Sequence, residues 1–344
     1  MASSTRGFPA FDLQALEAAV HPDRRAEPWS RQMIESFVRA LREDGLLYLS
    51  NTGVDVDALA AEVRRVTEPV MNLPEAESRD LMATGFPPNG LTRDEAESTA
   101  AVVGKGSYSD LCAKWSFSSS GENILPADAD GHFKSAWTAA HVAWDDICVR
   151  LLNLIGPALG ISSTQLWQQL MKEGNRVGLL RFLRYPDVPK DRASDVGGHP
   201  ERMAPHHDLD VITLLHQTPC LNGFVSLQGL VNGEWVDVPA SPQTLVVNFG
   251  EALSILSAGA VKATTHRVLS PPADKLEGSA RQTLVMFWEP PAEFKLKPLD
   301  DSNFGEYTYG VDGMPFGEWL ANAVSKLQGA SPADAPGVAA APSA

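Results

Sequence analysis

The stretch "MAPHHDLDVITLLHQ", Met203–Gln217, sets two adjacent histidines and a carboxylate ahead of Val211-Ile212-Thr213-Leu214-Leu215, a run as apolar as a buried strand. Polar groups that enter a core need compensation, because burying them unpartnered is costly. In an extended chain successive side chains alternate between faces, so His206 and Asp208 share one face and His207 points the other way. That is a two-point chelate. A third ligand is expected from "KATTHRV", which puts His266 near the end of a late β segment.

Around this stretch the chain reads as a β protein. From Val177 onward come "VGLLRFLRYP", "DVITLLHQ", "FVSLQGL", "EWVDVP", "QTLVVNFG", "VKATTHRVL" and "QTLVMFWEP", separated by turn signals such as Asn222-Gly223 and Asn232-Gly233. Short strands at that spacing indicate a sandwich or barrel, and no helix-length segment is expected among them before Phe316–Leu327. The first half is helical in pattern. Ser30 is placed as the cap of a helix that Gly45 ends, "LLYLSN" as a strand over Leu46–Asn51, and a second helix over Asp55–Val70. The longest helix starts near His132 and keeps its apolar stripe from Phe133 to Ile155, where Gly156-Pro157 should stop it. Residues 85–126, rich in Gly, Ser and Asn, are expected to form loops that cross a surface or cover a pocket. The fold class is therefore mainly β with flanking helices, in one domain over residues 1–328. A helix-rich half covers about 1–176, a β core about 177–298, and a C-terminal arm and helix about 299–328. Residues 329–344, small and Pro-rich, are expected to be disordered.

Composition narrows the function classes. With 344 residues and 44% apolar content the chain can bury a sizeable core. Its formal net charge of -15 opposes a nucleic-acid partner. No window approaches the roughly 18 apolar residues of a membrane span, and the N-terminus lacks the layout of a secretory signal, so a cytoplasmic location is expected. Cys112, Cys148 and Cys220 are odd in number and widely spaced, which suggests free structural thiols and no zinc site.

Two imidazoles and one carboxylate on one side of a metal, without thiolate, form the facial triad of non-haem Fe(II) oxygenases. Such a site needs a cosubstrate, and "SARQTLVMFW" offers an anchor: Arg281 and Thr283, two apart on a strand, can grip a carboxylate by a charge-assisted fork and a hydroxyl. Taken with "NGFVSLQ", "GEWVDVP", "LVVNFGEALSILSAGAVKATTHRV" and Arg-x-Thr, the opening stretch resembles the iron and 2-oxoglutarate-dependent oxygenases of the isopenicillin N synthase type. "GSYSD" and "ESTA" bring it nearest to the deacetoxycephalosporin C synthases, the penicillin ring expanders. The resemblance implies a double-stranded β-helix (jelly roll). It implies metal ligation by His206, Asp208 and His266, and Arg281 and Thr283 as holders of the far carboxylate of 2-oxoglutarate, beside Tyr185 in "RFLRYP". Fe(II), 2-oxoglutarate and O2 would be the cofactors, with ascorbate as a stimulant.

The implied activity is oxidation of an unactivated C–H bond of a small, carboxylate-bearing or polar organic molecule, with hydroxylation, desaturation and ring expansion as outcomes. Asp208 fills the position that a halogenating site would leave open. Arg181, Leu183 and Met203 are the substrate-binding candidates. Arg181 matches an arginine linked in the ring expanders to the substrate carboxylate, and it is expected to reach the barrel mouth, where it has few partners besides an anionic ligand. Two residues on, those enzymes carry a second arginine where this chain has Leu183. A more hydrophobic substrate with one acidic or strongly hydrogen-bonding group is therefore expected, from a monomer or weak homo-oligomer in secondary metabolism. The alternatives are a true penicillin ring expander, a non-catalytic metal- and ligand-binding barrel, and a nucleic-acid demethylase, the last opposed by the negative charge. His207 is expected to face away and His216 to serve in hydrogen bonding; His21, His132, His141 and His199 are expected to be structural or exposed.

Overall fold

A computed structural model describes residues 7–327 apart from 22, 25, 84–88, 103–107, 120–122, 128–130, 173–176, 196–200 and 299–312. The expected disordered tail, much of the C-terminal arm and His199 lie outside the described residues. The helices are α1 (Leu13–Val20), α2 (Pro28–Arg39), α3 (Val56–Met71), α4 (Thr99–Val102), α5 (His132–Leu159), α6 (Gln165–Leu170), α7 (Glu251–Leu256) and α8 (Phe316–Leu327). None of them is long and apolar enough to cross a membrane.

The strands are β1 (Ala10–Asp12), β2 (Leu46–Ser50), β3 (Gly90–Thr92), β4 (Ala113–Ser118), β5 (Val177–Tyr185), β6 (Glu201–His206) and β7 (Ile212–Gln217). They continue as β8 (Leu227–Val231), β9 (Glu234–Asp237), β10 (Thr244–Phe249), β11 (His266–Leu269), β12 (Arg281–Glu289), β13 (Lys295–Leu296) and β14 (Met314–Pro315). Eight form one sheet in the order β1-β2-β10-β7-β12-β5-β4-β3, and four form a second in the order β6-β11-β8-β9. Leu183, Tyr185, Val246 and Val285 of the large sheet share a core with Met203, Leu227, Val231 and Val268 of the small one. The two sheets are thus the walls of the expected jelly roll.

The opposite face of the large sheet carries the helices. Trp115, Trp137, Trp144 and Trp288 are fully buried there, each worth roughly 1.5–3 kcal/mol or more relative to exposure. The Trp137 indole donates to Thr67 Oγ1 on α3 at 3.0 Å and the Trp288 indole to Asp145 on α5 at 2.9 Å. These two N–H groups thereby keep partners while the rings fill the layer, whereas the buried indole N–H groups of Trp115 and Trp144 have none among the described residues. Because the sheet is covered on both faces, β4 reads as a continuous buried run and hides its period of two.

Several expectations need correction. Ser30 caps nothing: α2 begins at Pro28, whose fixed φ and missing N–H suit the first turn, and Ser30 is buried two residues inside. Gly45 does end that region, with φ +59 after a π-helical turn over Ala40–Asp44, and a Cβ there would meet the Lys262 carbonyl oxygen at 2.2 Å. Pro157 does not stop α5, which runs on to the left-handed Gly160. Residues 85–126 are not only loops: β4 is a fully buried strand of the large sheet, and β3 and α4 flank it. A six-residue helix, α7, also interrupts the β-rich half.

Candidate metal and cosubstrate site

β6 ends at His206, and β7 begins only at Ile212. Asp208 therefore sits in the turn between strands and not on a strand face, as the alternation argument assumed. His266 opens β11 and does not close it, directly across from His206 in the register. Side by side on neighbouring strands, the two imidazole centroids are 4.3 Å apart. His206 Nε2 lies 3.7 Å and His266 Nε2 3.8 Å from Asp208 Oδ1. Among the described residues these three side chains form the one cluster that could hold a metal ion, with ligand atoms all within 4.8 Å of one another.

The surroundings decide which atom of each group is free. His206 Nδ1 donates to the Ala204 carbonyl at 2.7 Å and His266 Nδ1 to the Thr264 carbonyl at 3.1 Å, which leaves both Nε2 lone pairs turned to Asp208. Asp208 Oδ2 accepts from Thr213 Oγ1 at 2.5 Å and Asn248 Nδ2 at 2.7 Å, so Oδ1 remains. Burial opposes ionisation of Asp208, but His266, His206 and these hydrogen bonds outweigh it and lower its pKa. For His206, burial and then the neighbouring His266 push the pKa down to about 4. Two imidazoles that present Nε2 and a carboxylate that presents Oδ1 are a donor set that a divalent iron takes. Asp210 is the contrast: burial, reinforced by Asp208, raises its pKa well above the ordinary value. Gly250 makes room for it, since a Cβ there would meet the Asp210 carbonyl oxygen at 2.1 Å.

A second polar group stands deeper in the interior. Side chains directly opposed on adjacent strands form rows across the inner face of the large sheet. One row holds Lys114, Leu183, Thr283 and Gln217; a second holds Ser116, Arg181, Val285 and Leu215; Tyr185 and Arg281 face each other in a third. Arg281 is 4% exposed and donates to Ser226 Oγ at 2.9 Å and Gln217 Oε1 at 2.8 Å. Both partners are neutral, its Nε and the buried Thr283 Oγ1 have no partner, and no ion pair among the described residues involves it. Burial lowers its pKa. The Tyr185 ring lies 5.3 Å from its guanidinium carbon. A buried cation with only neutral partners, next to an unpaired hydroxyl, is a cradle that a small carboxylate would complete.

Arg181 departs from expectation. It shares the interior face with Leu183 and Tyr185, but it is already ion-paired with Glu97, Nη2 to Oε1 at 2.8 Å. A deep guanidinium is cheaper to bury with a resident carboxylate than bare, and Glu97 is the partner that was not foreseen when a ligand was expected to supply the anion. His207 leaves the cluster and pairs with Glu251 at 2.8 Å. His216 bonds Asp57 at 2.9 Å, His141 bonds the Gly178 carbonyl at 3.2 Å, and all three cysteines are free and buried. Sequence reasoning missed Thr213, Asn248, Gln217, Ser226 and Glu97. Asn248 within "LVVNFG" and Lys114 within "CAKWSF" were visible as polar residues in apolar runs, but their partners were not. A cleft of about 330 Å³ lies under α3, lined by Phe182, Gln282 and Leu284 on the helix-facing side of the large sheet and also by Gln217 and Thr283. Its polar groups pair with each other, His216 with Asp57 and Gln282 with Arg64.

Comparison with known proteins places this geometry in a family. Residues 177–290 match the 2OG-Fe(II) oxygenase superfamily. The chain is 34% identical over 322 residues to deacetoxycephalosporin C synthase of Amycolatopsis lactamdurans, covering 91% of this chain and 94% of that one. It is 32% identical over 293 residues to deacetoxycephalosporin C hydroxylase of Streptomyces clavuligerus, covering 83% and 89%. Among solved structures, the dioxygenase for auxin oxidation in rice superposes with a TM-score of 0.64 at 19% identity, over 92% of this chain and 99% of that one.

Proposed function

The chain belongs to the 2OG-Fe(II) oxygenase superfamily, and from that premise we propose that His206, Asp208 and His266 hold the Fe(II) and that Arg281 and Thr283 hold the far carboxylate of 2-oxoglutarate. The substrate is a small organic molecule oxidised at an unactivated C–H bond. Bound there, iron and 2-oxoglutarate supply the oxidising power of O2 as the cosubstrate becomes succinate and CO2. The protein's own part is positional. The Ala204 and Thr264 carbonyls fix the imidazole tautomers, Thr213 and Asn248 orient the carboxylate, and Gln217 and Ser226 aim the Arg281 fork. Tyr185 covers the guanidinium and limits water. The observation that carries the reading is one interior that holds both a three-ligand cluster and a buried arginine with neutral partners only.

Leu183 and Met203 supply apolar walls, so the substrate is more hydrophobic than a bicyclic penicillin and penicillins are turned over poorly. A second reading, penicillin ring expansion, is favoured by the likeness to deacetoxycephalosporin C synthase. On the first reading residues 1–328 act as one oxygenase domain, which is supported by β1–β4 of the N-terminal half joining the same sheet as β5. By analogy with its cephalosporin-named relatives the enzyme serves secondary metabolism, in the cytoplasm, as a monomer or weak homo-oligomer. Anaerobic addition of Fe(II) and 2-oxoglutarate should give the weak visible band of keto-acid chelation, and Asp208→Ala should lose it. Wild-type protein that binds neither would reject the assignment. Efficient ring expansion of penicillin G would reject the hydrophobic-substrate reading in favour of the second.

A further inference from the structure

Arg281 has a second buried guanidinium for company. Arg202, on β6, is 0% exposed. Its Nη2 donates to the Ser279 carbonyl at 2.8 Å and its Nη1 to the Pro186 carbonyl at 3.3 Å, while its buried Nε has no partner. Both partners are neutral, and among the described residues no carboxylate pairs with it. Asp187, next to Pro186, is turned to other donors: it accepts from the Ala280 amide at 2.7 Å and from Ser279 Oγ at 3.5 Å. Burial, and after it the charge of Arg281, lowers the Arg202 pKa to about 10, so the group stays cationic at neutral pH.

Both partners of Arg202 adjoin the cosubstrate cradle. Ser279 lies two residues before Arg281, which opens β12, and Pro186 follows Tyr185, which closes β5. Tyr185 and Arg281 are directly opposed in the register of those strands. β6 belongs to the small sheet and β5 and β12 to the large one, so Arg202 reaches across from one wall to hold two strand ends of the other. The same ends are also joined by the Val188 amide, which donates to Ser279 Oγ at 3.3 Å, and by the Ala280 amide on Asp187. The clamp therefore does not by itself call for an arginine, and what the guanidinium adds is charge. A cation this dry is costly with carbonyls alone for partners. An anion gripped by Arg281 would lie in the field of both guanidinium groups, in surroundings that screen little.

Resting on the oxygenase reading above, we propose that Arg202 is a positioning residue of the cosubstrate site: it adds a second positive charge to the cradle of Arg281, which then favours a keto acid with an anionic far end over one with a neutral end. Because its fork is engaged with the two carbonyls, Arg202 acts on the far carboxylate through space and not by a hydrogen bond.

The test compares 2-oxoglutarate with 2-oxopentanoate, which offers the same keto-acid chelate and lacks the far carboxylate. Protein is loaded anaerobically with Fe(II), and dissociation constants are read from the visible band and from thermal stabilisation. The wild type should prefer 2-oxoglutarate. Arg202→Gln, whose amide can still donate to a carbonyl, should cut that preference by about tenfold, weakening 2-oxoglutarate while 2-oxopentanoate stays within about twofold. Arg202→Lys, which keeps the charge and loses the fork, should hold the preference within about threefold of wild type. Arg281→Gln, with Arg202 intact, should still prefer 2-oxoglutarate by about threefold or more, and this measurement decides where Arg202→Gln does not fold. An unchanged preference or equal weakening of both keto acids in Arg202→Gln overturns the proposal. So does a Lys variant that behaves like the Gln variant, or loss of all preference in Arg281→Gln. Absence of the band in the wild type with 2-oxoglutarate overturns the oxygenase reading, and this one with it.

Discussion

The amide of Asn248, on β10, donates to Asp208 Oδ2 at 2.7 Å, and this contact leaves Oδ1 as the oxygen that faces His206 and His266. Without it the carboxylate could rotate on Thr213 alone. Asn248→Ala should weaken Fe(II) binding by about ten- to a hundredfold, the usual range when a ligand's orienting partner is lost. Equilibrium Fe(II) titration of the anaerobic protein measures this, and an unchanged constant would show that Thr213 suffices.

Arg281 is the cosubstrate anchor on this reading, and its removal acts on one ligand only. Arg281→Leu should raise the 2-oxoglutarate dissociation constant by roughly 30-fold or more, from the loss of about 2–5 kcal/mol when a charge partner is deleted. Iron affinity should stay near the wild-type value, because neither Ser226 nor Gln217 touches the triad ligands. Parallel loss of both affinities would make Arg281 a structural residue.

His206 and His207 are neighbours with opposite fates. His207 is 42% exposed and pairs with Glu251, which is 12% exposed, away from the three-residue cluster. His207→Ala should keep most of the Fe(II)-dependent visible band, whereas His206→Ala should abolish it. If His207→Ala lost the band and His206→Ala kept it, the ligand assignment would be wrong.

The depressed pKa of His206 ties stability to pH. The imidazole titrates near 4 in the folded protein and at 6.5 when solvent-exposed in an unfolded chain, so between those values the unfolded chain binds more protons. Stability is complete above about 6.5 and is lost as pH falls toward 4, by up to about 3 kcal/mol. Urea unfolding of metal-free protein at a series of pH values should show this loss in the wild type and a shallower one in His206→Gln. Equal slopes would assign the effect to other groups.

Near the site, local sequence pattern carried far. The short β-rich pieces from Val177 onward and the turn pairs Asn222-Gly223 and Asn232-Gly233 were enough for a β core, because strand composition and turn chemistry are properties of neighbouring residues. The candidate residues His206, Asp208 and His266, and the Arg281-Thr283 pair, were legible because metal and carboxylate chemistry restricts residue type, and the structure brings the first three within 4.8 Å of one another. Resemblance supplied their order along the chain.

What neighbours in sequence could not specify, tertiary structure decided. The clustering of His206 with Asp208 arises from a turn after β6 and not from strand alternation, since the bend at Leu209–Val211 lies between two strands in different sheets. β4 was hidden because both of its faces are buried, which erases the alternating pattern. Asn248 reaches Asp208 across 40 residues, and Glu97 reaches Arg181 across 84. Whether a buried arginine keeps only neutral partners, as Arg281 does, or is ion-paired, as Arg181 is, depends on which distant carboxylate the fold brings within hydrogen-bonding reach. Charge pairing is a property of proximity in space, so the same residue type in the same barrel takes opposite roles.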